Sequence, residues 1–480
     1  MSNIMAGLIE SANALNAFDQ VLQVTQNNVA NASTPGFAKQ SLQLLAEPFQ
    51  PPGLLGGVVA GNVESSRNEF AEQAVRRETT VLGQQQQLVG SLTSLQSVMD
   101  VSGNTGIPYA LNNFFQSVSA WSQTPSDQAA RQTVIARAAD VAHAIQNAST
   151  ALQRVGQDTD TQTRNTVNQV NQLVAQIQAY NHRVLQSGSG SCDSSMDASV
   201  HATLEQLSSL VEVSATRQPD GTTTILLNGS TPLLIGDKQY ALSTGLISPP
   251  SPPALYTNAP PQAQLLAADG TDVTAHTTGG QLGALLSVRN SILPSFQGDA
   301  NQVGSLNTLA QGFADRVNQL LTSGNISDGP PPQPGVPLFT YDTTSPVRVA
   351  ATLSVDPSVT PSQLAAISPG PPEVSNGVPL ALSQLANPTD PADEINGFSF
   401  SQFYGNLAAN VGSQLQQAQN STQVQQSLVA QAQNQRQQIS GVDLNEEAMV
   451  AVEFQRAYEA NSRLITVLDQ LTLDTINMLQ

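Results

Sequence analysis

Cysteine and lysine are nearly absent from this chain of 480 residues: Cys192 stands alone, and Lys39 and Lys238 are the two lysines. One cysteine permits no internal disulfide, which suits a cytosolic protein and equally a chain that must leave the cell unfolded and uncrosslinked. Lys and Arg together number 17 against 36 Asp and Glu, giving a net charge of -19. No basic cluster exists to grip a phosphate backbone, so nucleic acid is excluded as a partner. An anionic membrane surface is disfavoured for the same reason. No run approaches the roughly 18 apolar residues of a membrane span, which speaks against membrane insertion. The first residues, Met1 to Ala6, lack the basic and apolar regions of a cleaved secretory signal.

Aromatics make up 4% and charged residues 11%, while apolar residues reach 39%. Such a chain folds, but it has few bulky side chains for a thick core. Its length also exceeds what one core usually holds. Elongated, thin domains or an assembly fit this better than one large globule.

What is present in quantity is helical periodicity. Met1, Leu8, Leu15, Leu22 and Val29 recur every seven residues, with Ile4, Phe18 and the weaker Ser11 and Thr25 at the second seam position. That spacing forms one stripe for a partner helix. Pro35 and Gly36 end the helix. The last residues mirror this. Val450, Ala457, Leu464, Leu471 and Met478 take one position, and Phe454, Asn461, Leu468 and Thr475 the other. Two such helices suggest termini that pair with each other. Burial against the protein's own core is the plainer reading of each stripe.

Between them, Val81, Leu88, Leu92, Leu95 and Met99 form one helical stripe, and Val134 to Val155 and Val167 to Val184 form another. Gly156 leaves open whether the second is one long helix or two. Ser187 to Ser191 reads as a linker. Thr222 to Leu227, the turn Asn228-Gly229 and Thr231 to Ile235 read as a hairpin. Prolines 249, 250, 252, 253, 260 and 261 follow. Helix resumes at Leu282 and again over 400–438, with a short strand expected at 347–355.

The fold expected is therefore mainly α with a β-rich insert. The chain is elongated and multidomain, with paired terminal coiled-coil helices, a central helical bundle and a small β domain at the tip. The divisions are 1–40 with 440–480 (terminal coiled coil), 41–215 with 281–325 and 396–439 (bundle), 216–280 (β insert), and 326–395 (Pro-rich loops and short strands).

No catalytic constellation emerges. Neither lysine closes a phosphate-binding loop, and Gly188-Ser189-Gly190 has Asp193 where a third glycine belongs. His143, His182, His201 and His276 lack metal-site spacing. Cys192 has no adjacent basic residue to lower its pKa. Trp121 with Phe114, Phe115 and Val118 reads as core rather than a ligand box. Glu446 and Glu447 are adjacent on a helix and diverge, so they suit a helix N-terminus, with Asp443 as cap and capping-box partner, better than glycoside cleavage. No enzyme, cofactor or small-molecule substrate is expected.

The run Asn27-Asn28-Val29-Ala30-Asn31-Ala32-Ser33-Thr34-Pro35-Gly36-Phe37 resembles the signature near the N-terminus of flagellar rod, hook and hook-associated proteins, with Asn28, Asn31, Thr34, Gly36 and Phe37 carrying the likeness. Ser440-Gly441-Val442-Asp443-Leu444-Asn445-Glu446-Glu447, followed by Phe454-Gln455, Ala457-Tyr458 and Ala460-Asn461, is similar to the C-terminal signature of the flagellar hook-associated protein 1 family. The segments 127–132, 280–286 and 313–318 agree. The 323–395 stretch is shorter than a large outer domain would need.

The resemblance implies a subunit at the hook–filament junction that assembles with itself in a ring. Ile4, Leu8, Leu15, Phe18, Leu22 and Val29 would form the N-terminal seam. Val450, Phe454, Ala457, Tyr458, Asn461, Leu464, Leu468, Leu471 and Met478 would form the C-terminal seam and the surface for a cytosolic export chaperone. Hook protein and the second junction protein are the other implied partners. The implied location is the extracellular flagellum, reached by type III export without a cleaved signal, and the ends of the free monomer are expected to be disordered. The alternatives are a rod or hook protein, a type III secreted coiled-coil effector, or, in a different class, a cell-wall hydrolase.

Overall fold

The computed structural model describes residues 2–50, 54–99, 105–187, 193–247 and 255–478. Met1, Cys192, the linker residues 188–191 and prolines 249, 250, 252 and 253 lie outside these.

In chain order, helix α1 (Ser2–Asn31) is followed by a hairpin of β1 (Gln40–Gln50) and β2 (Leu54–Ser65), then by α2 (Glu69–Val98), α3 (Gly106–Gln123), α4 (Gln128–Ser187) and α5 (Ser194–Leu210). Strands β3 (Val213–Arg217), β4 (Thr223–Leu227), β5 (Thr231–Ile235) and β6 (Lys238–Gln239) form an antiparallel sheet in sequence order. β7 (Ser243–Ile247) and β8 (Gln262–Leu266) pair separately. α6 (Gly280–Ser287) runs through a π turn into α7 (Leu293–Gln297), and α8 (Ser305–Thr322) follows. A loop-rich stretch contains β9 (Asn325–Ser327), β10 (Gln333–Pro334), β11 (Phe339–Thr340), α9 (Val349–Thr352), β12 (Ser354–Val355) and α10 (Gly377–Gln384). Two long helices, α11 (Phe400–Ser440) and α12 (Leu444–Met478), end the chain. The protein is mainly α with a β-rich insert and is elongated.

α4 decides the choice that Gly156 left open. Its 60 residues are continuous, a rod of ~90 Å at 1.5 Å per residue. Gly156 sits mid-helix where a side chain would meet Leu293, 3.7 Å away, and the Arg289 guanidinium. Two apolar cores share this rod. The larger lies on its N-terminal half, where α3, α8, α10 and the start of α11 pack. Phe313 is at its centre, with ring centroids of Phe114, Phe339 and Phe400 at 5.3–5.4 Å. Trp121 is fully buried in the same core, and its indole N–H donates to Pro125 O at 3.2 Å. The smaller core lies on the C-terminal half, where Val167, Val170, Val174 and Ile177 meet α5, the four-stranded sheet and Leu282 of α6. Between the cores Asp160 accepts from Arg289 Nε at 2.8 Å.

The 222–235 hairpin forms as read, with positive φ at both Asn228 and Gly229. Two readings are corrected. Residues 41–50 and 54–65, counted with the helical bundle, are strands packed on α1. The strand expected at 347–355 is mostly a helical turn, because Val349, Ala350 and Leu353 all bury into the larger core.

Candidate assembly site

α1 and α12 pack along each other in antiparallel fashion. Their pairing runs from Asn28 beside Glu447, through Phe18 against Phe454 (ring centroids 5.7 Å apart), to Asn461, whose Nδ2 donates to Ser11 O at 2.9 Å. A side chain at Gly7 would touch Leu468 Cδ1 at 3.7 Å.

Of the N-terminal seam residues, Ile4, Leu8, Leu15, Phe18 and Leu22 are half-buried, while Val29 is 45% exposed. On α12, Val450, Phe454, Ala457, Asn461 and Leu468 face inward and are half-buried. Tyr458, Leu464, Leu471 and Met478 are exposed, Met478 by 81%. Ile465 and Thr472 take the inward places instead. The cause is the helical period. A straight helix drifts ~20° per heptad from a strict seven-residue repeat, so a heptad column that starts at the contact leaves it within a few turns. The pattern also hid a second buried face. Ala17 and Val21, outside both seam columns, are buried together with Thr25 of the weaker seam positions, since α1 carries the β1–β2 hairpin as well as α12. Their spacing of four is itself a helical stripe, the one signal that α1 is covered on two sides.

The Asn-rich motif forms the root of this pair. Asn28 is 1% exposed. Its Nδ2 donates to Gln40 O at 2.8 Å and to Glu447 Oε2 at 3.0 Å, and its Oδ1 accepts from Gln40 N at 2.9 Å. One amide thus ties the end of α1, the start of β1 and the start of α12. Asn31 Oδ1 accepts from Thr34 Oγ1 at 3.1 Å, and Phe37 N donates to Thr34 O, which closes the turn. Gly36 adopts φ +75°, and a Cβ there would lie 2.3 Å from Ala198 O of α5.

Asp443 caps α12, accepting from Asn445 N at 2.8 Å. The Glu446 carboxylate pairs with Lys39 Nζ at 2.9 Å, and Lys39 also reaches Glu447 at 3.3 Å. Burial opposes the Lys39 charge, but the two carboxylates outweigh it and raise its pKa above the ordinary value. Lys39 N donates to Ser440 O, and Asn68 N to Ser440 Oγ, so both ends of the chain and the start of α2 converge here.

This geometry ties the two ends of the chain to each other and to the start of α2. Among the described residues no group of His, Cys, Asp and Glu could hold a metal, and no helix is long and apolar enough to cross a membrane.

Comparison with known proteins agrees with the build. Residues 11–37 match the flagella basal body rod protein model, and residues 433–478 match the model of the flagellar basal body rod FlgEFG protein C-terminal. The chain is an axial structural protein of the bacterial flagellum. Residues 92–339, just over half of it, match the flagellar hook-associated protein FlgK helical domain. The chain belongs to the flagellar hook-associated protein FlgK family, a structural family rather than an enzyme family. It is 26% identical to flagellar hook-associated protein 1 of Bacillus subtilis, with 99% of each chain covered, and 21% identical to that of Escherichia coli, with 99% and 100% covered. The fold resembles the flagellar hook junction protein FlgK from Burkholderia pseudomallei, with a TM-score of 0.62 and 16% identity over 77% of this chain and 100% of that one.

Proposed function

We propose that the chain forms the junction between hook and filament and assembles there in a ring through α1 and α12. The observation that carries this is the apolar side chains left on the outside of the terminal pair. Met5 and Ile9 on α1, and Leu464, Val467, Leu471 and Met478 on α12, are all exposed in the single chain. A soluble protein that stayed alone would not keep such a face against water. A second copy offers the same face, and self-association buries it. The seam residues turned outward, Leu464, Leu471 and Met478, fit contacts between subunits, while Phe454, Asn461 and Leu468 serve the pair within one subunit.

Hook protein on one side and the second junction protein on the other are the proposed axial neighbours. Before export a cytosolic chaperone would cover the outer face of α12, and the chain would leave through the type III apparatus without a cleaved signal. The central match to the helical domain favours the junction over a rod or hook role, although both ends also match rod-protein models.

Electron microscopy of cells lacking the gene, with flagellin assayed in the medium, tests the reading. Hooks without filaments, and flagellin lost to the medium, are expected. Missing hooks would assign the chain to the rod or hook. Normal filaments would overturn the flagellar junction role altogether.

A further inference from the structure

Beside the motif root lies a cluster of buried charges that the assembly reading does not use. Arg67, in the link between β2 and α2, sends Nη2 to Gly36 O at 2.6 Å, Nη1 to Glu72 of α2 at 2.6 Å and Nε to Asp197 of α5 at 2.9 Å. Asp197 also accepts from Arg217 of β3 at 2.9 Å. Glu72 accepts from Arg436 of α11 at 3.2 Å, and Arg436 binds Glu205 of α5 at 2.8 Å. Arg76 of α2 pairs with Glu69. Through these groups the motif loop, α2, α5, α11 and the β insert are joined at one place. Arg67, Glu72, Arg76 and Asp197 have side chains exposed by less than a tenth.

His201 of α5 stands inside this cluster. Its Nδ1 is 4.0 Å from Glu72 Oε2, and its Nε2 is 3.9 Å from Asp197 Oδ1. Neither distance is a hydrogen bond. Within the cluster, His201 Nδ1 and Arg76 Nη1 are two of the five buried side-chain atoms without a partner among the described residues. Four guanidiniums, Arg67, Arg76, Arg217 and Arg436, face four carboxylates, Glu69, Glu72, Asp197 and Glu205, so the cluster is balanced only while the imidazole is neutral.

We propose that this cluster is an ion lock on the joint between the paired terminal helices and the body, and that protonation of His201 releases it. The imidazolium would draw on Glu72 and Asp197, the two carboxylates that hold Arg67. Arg67 is the group that grips the motif loop at Gly36, so its loosening frees the joint. The electrostatics point the same way. Burial, then the charges of Arg67, Arg76 and Arg436, lower the His201 pKa from 6.5 to about 2. An opened joint returns the ring to water and its pKa toward the ordinary value. The open form therefore binds the proton more tightly, and the lock holds fully above pH 6.5 and weakens as pH falls below it. This inference is independent of which axial neighbours the protein has.

The test uses the full chain with Cys192→Ser and spin labels on Glu64→Cys, at the foot of the hairpin, and Thr93→Cys, on α2. A second pair, Thr93→Cys and Thr133→Cys, lies within the body and controls for general unfolding. At about pH 7.5 the joint pair should give one narrow distance, and at about pH 4 a distribution about twofold wider, with the body pair unchanged. His201→Gln and His201→Phe, both uncharged at every pH, should remain narrow in acid. Arg67→Gln should be broad already at neutral pH. The proposal is overturned if both His201 variants broaden as the unsubstituted chain does, if acid leaves the joint pair narrow, or if Arg67→Gln stays narrow at neutral pH.

Discussion

Gly36 carries two separate demands. Its φ of +75° disfavours any side chain, and the 2.3 Å approach of Ala198 O leaves no room for one. Gly229 has φ +71° but nothing within 4 Å of an added Cβ. Gly229→Ala should therefore lose about 1 kcal/mol of stability from strain alone, and Gly36→Ala about 2–4 kcal/mol, since the loop must also lift off α5. Urea unfolding of both variants measures the difference, and equal losses would mean that the motif loop is not seated on α5. At this scale the motif was legible but its partners were not. Asn28 and Gly36 stand out in the sequence, yet Glu447 lies 419 residues from Asn28. Nothing local marks Arg67 or His201 as members of one cluster. A buried ion network leaves no periodic trace.

The terminal helices were legible as elements because a seven-residue repeat is a property of one helix. Which half of each stripe serves its own partner, and which faces outward, was not, because that depends on the drift of a straight helix and on the hairpin covering the other side of α1. Two substitutions separate the roles. Leu471→Asp, on the exposed face, should leave the unassembled chain within about 0.5 kcal/mol of its normal stability and abolish self-assembly. Phe454→Ala removes the ring packed on Phe18 and should cost about 1–3 kcal/mol in the terminal pair. The pair is held by half-buried contacts alone beyond its root, so protease should cut the free chain first near its two ends, and Phe454→Ala should speed that cleavage severalfold. Ends that resist protease in the free chain would contradict this. The hairpin escaped notice for a physical reason. Gln40–Gln50 lacks β-branched residues, and the adjacent Leu44 and Leu45 interrupt the apolar–polar alternation that marks a strand.

For the whole molecule, the charge of -19 sets a term that no local contact removes. In the proposed ring, identical acidic subunits would repel one another, and the apolar outer face would have to overcome that repulsion. Salt screens it, with a Debye length that falls from roughly 30 Å at 0.01 M to about 8 Å at 0.15 M. Self-assembly in vitro should therefore need several-fold less protein at the higher salt, as sedimentation would measure. A higher requirement at high salt would mean that ion pairs, rather than apolar burial, hold the subunits together. The shortage of aromatics has its counterpart in the shape. Seven of the chain's thirteen phenylalanines, Phe114, Phe115, Phe296, Phe313, Phe339, Phe400 and Phe403, lie in one core. The rest of the length is carried by long helices with small side chains.

The helical class, the amphipathic helices at both ends, the turn at Asn228-Gly229 and the family likeness were readable along the chain, because periodicity, turn chemistry and short motifs act within a few residues. Packing in three dimensions was needed to show that Gly156 does not break α4, that residues 41–50 and 54–65 pack on α1, that Leu471 and Met478 face out while Ile465 faces in, and that His201 is buried close to Arg67, Arg76 and Arg436. Each of those depends on which distant segment supplies the neighbour, and burial and charge act through space rather than along the chain.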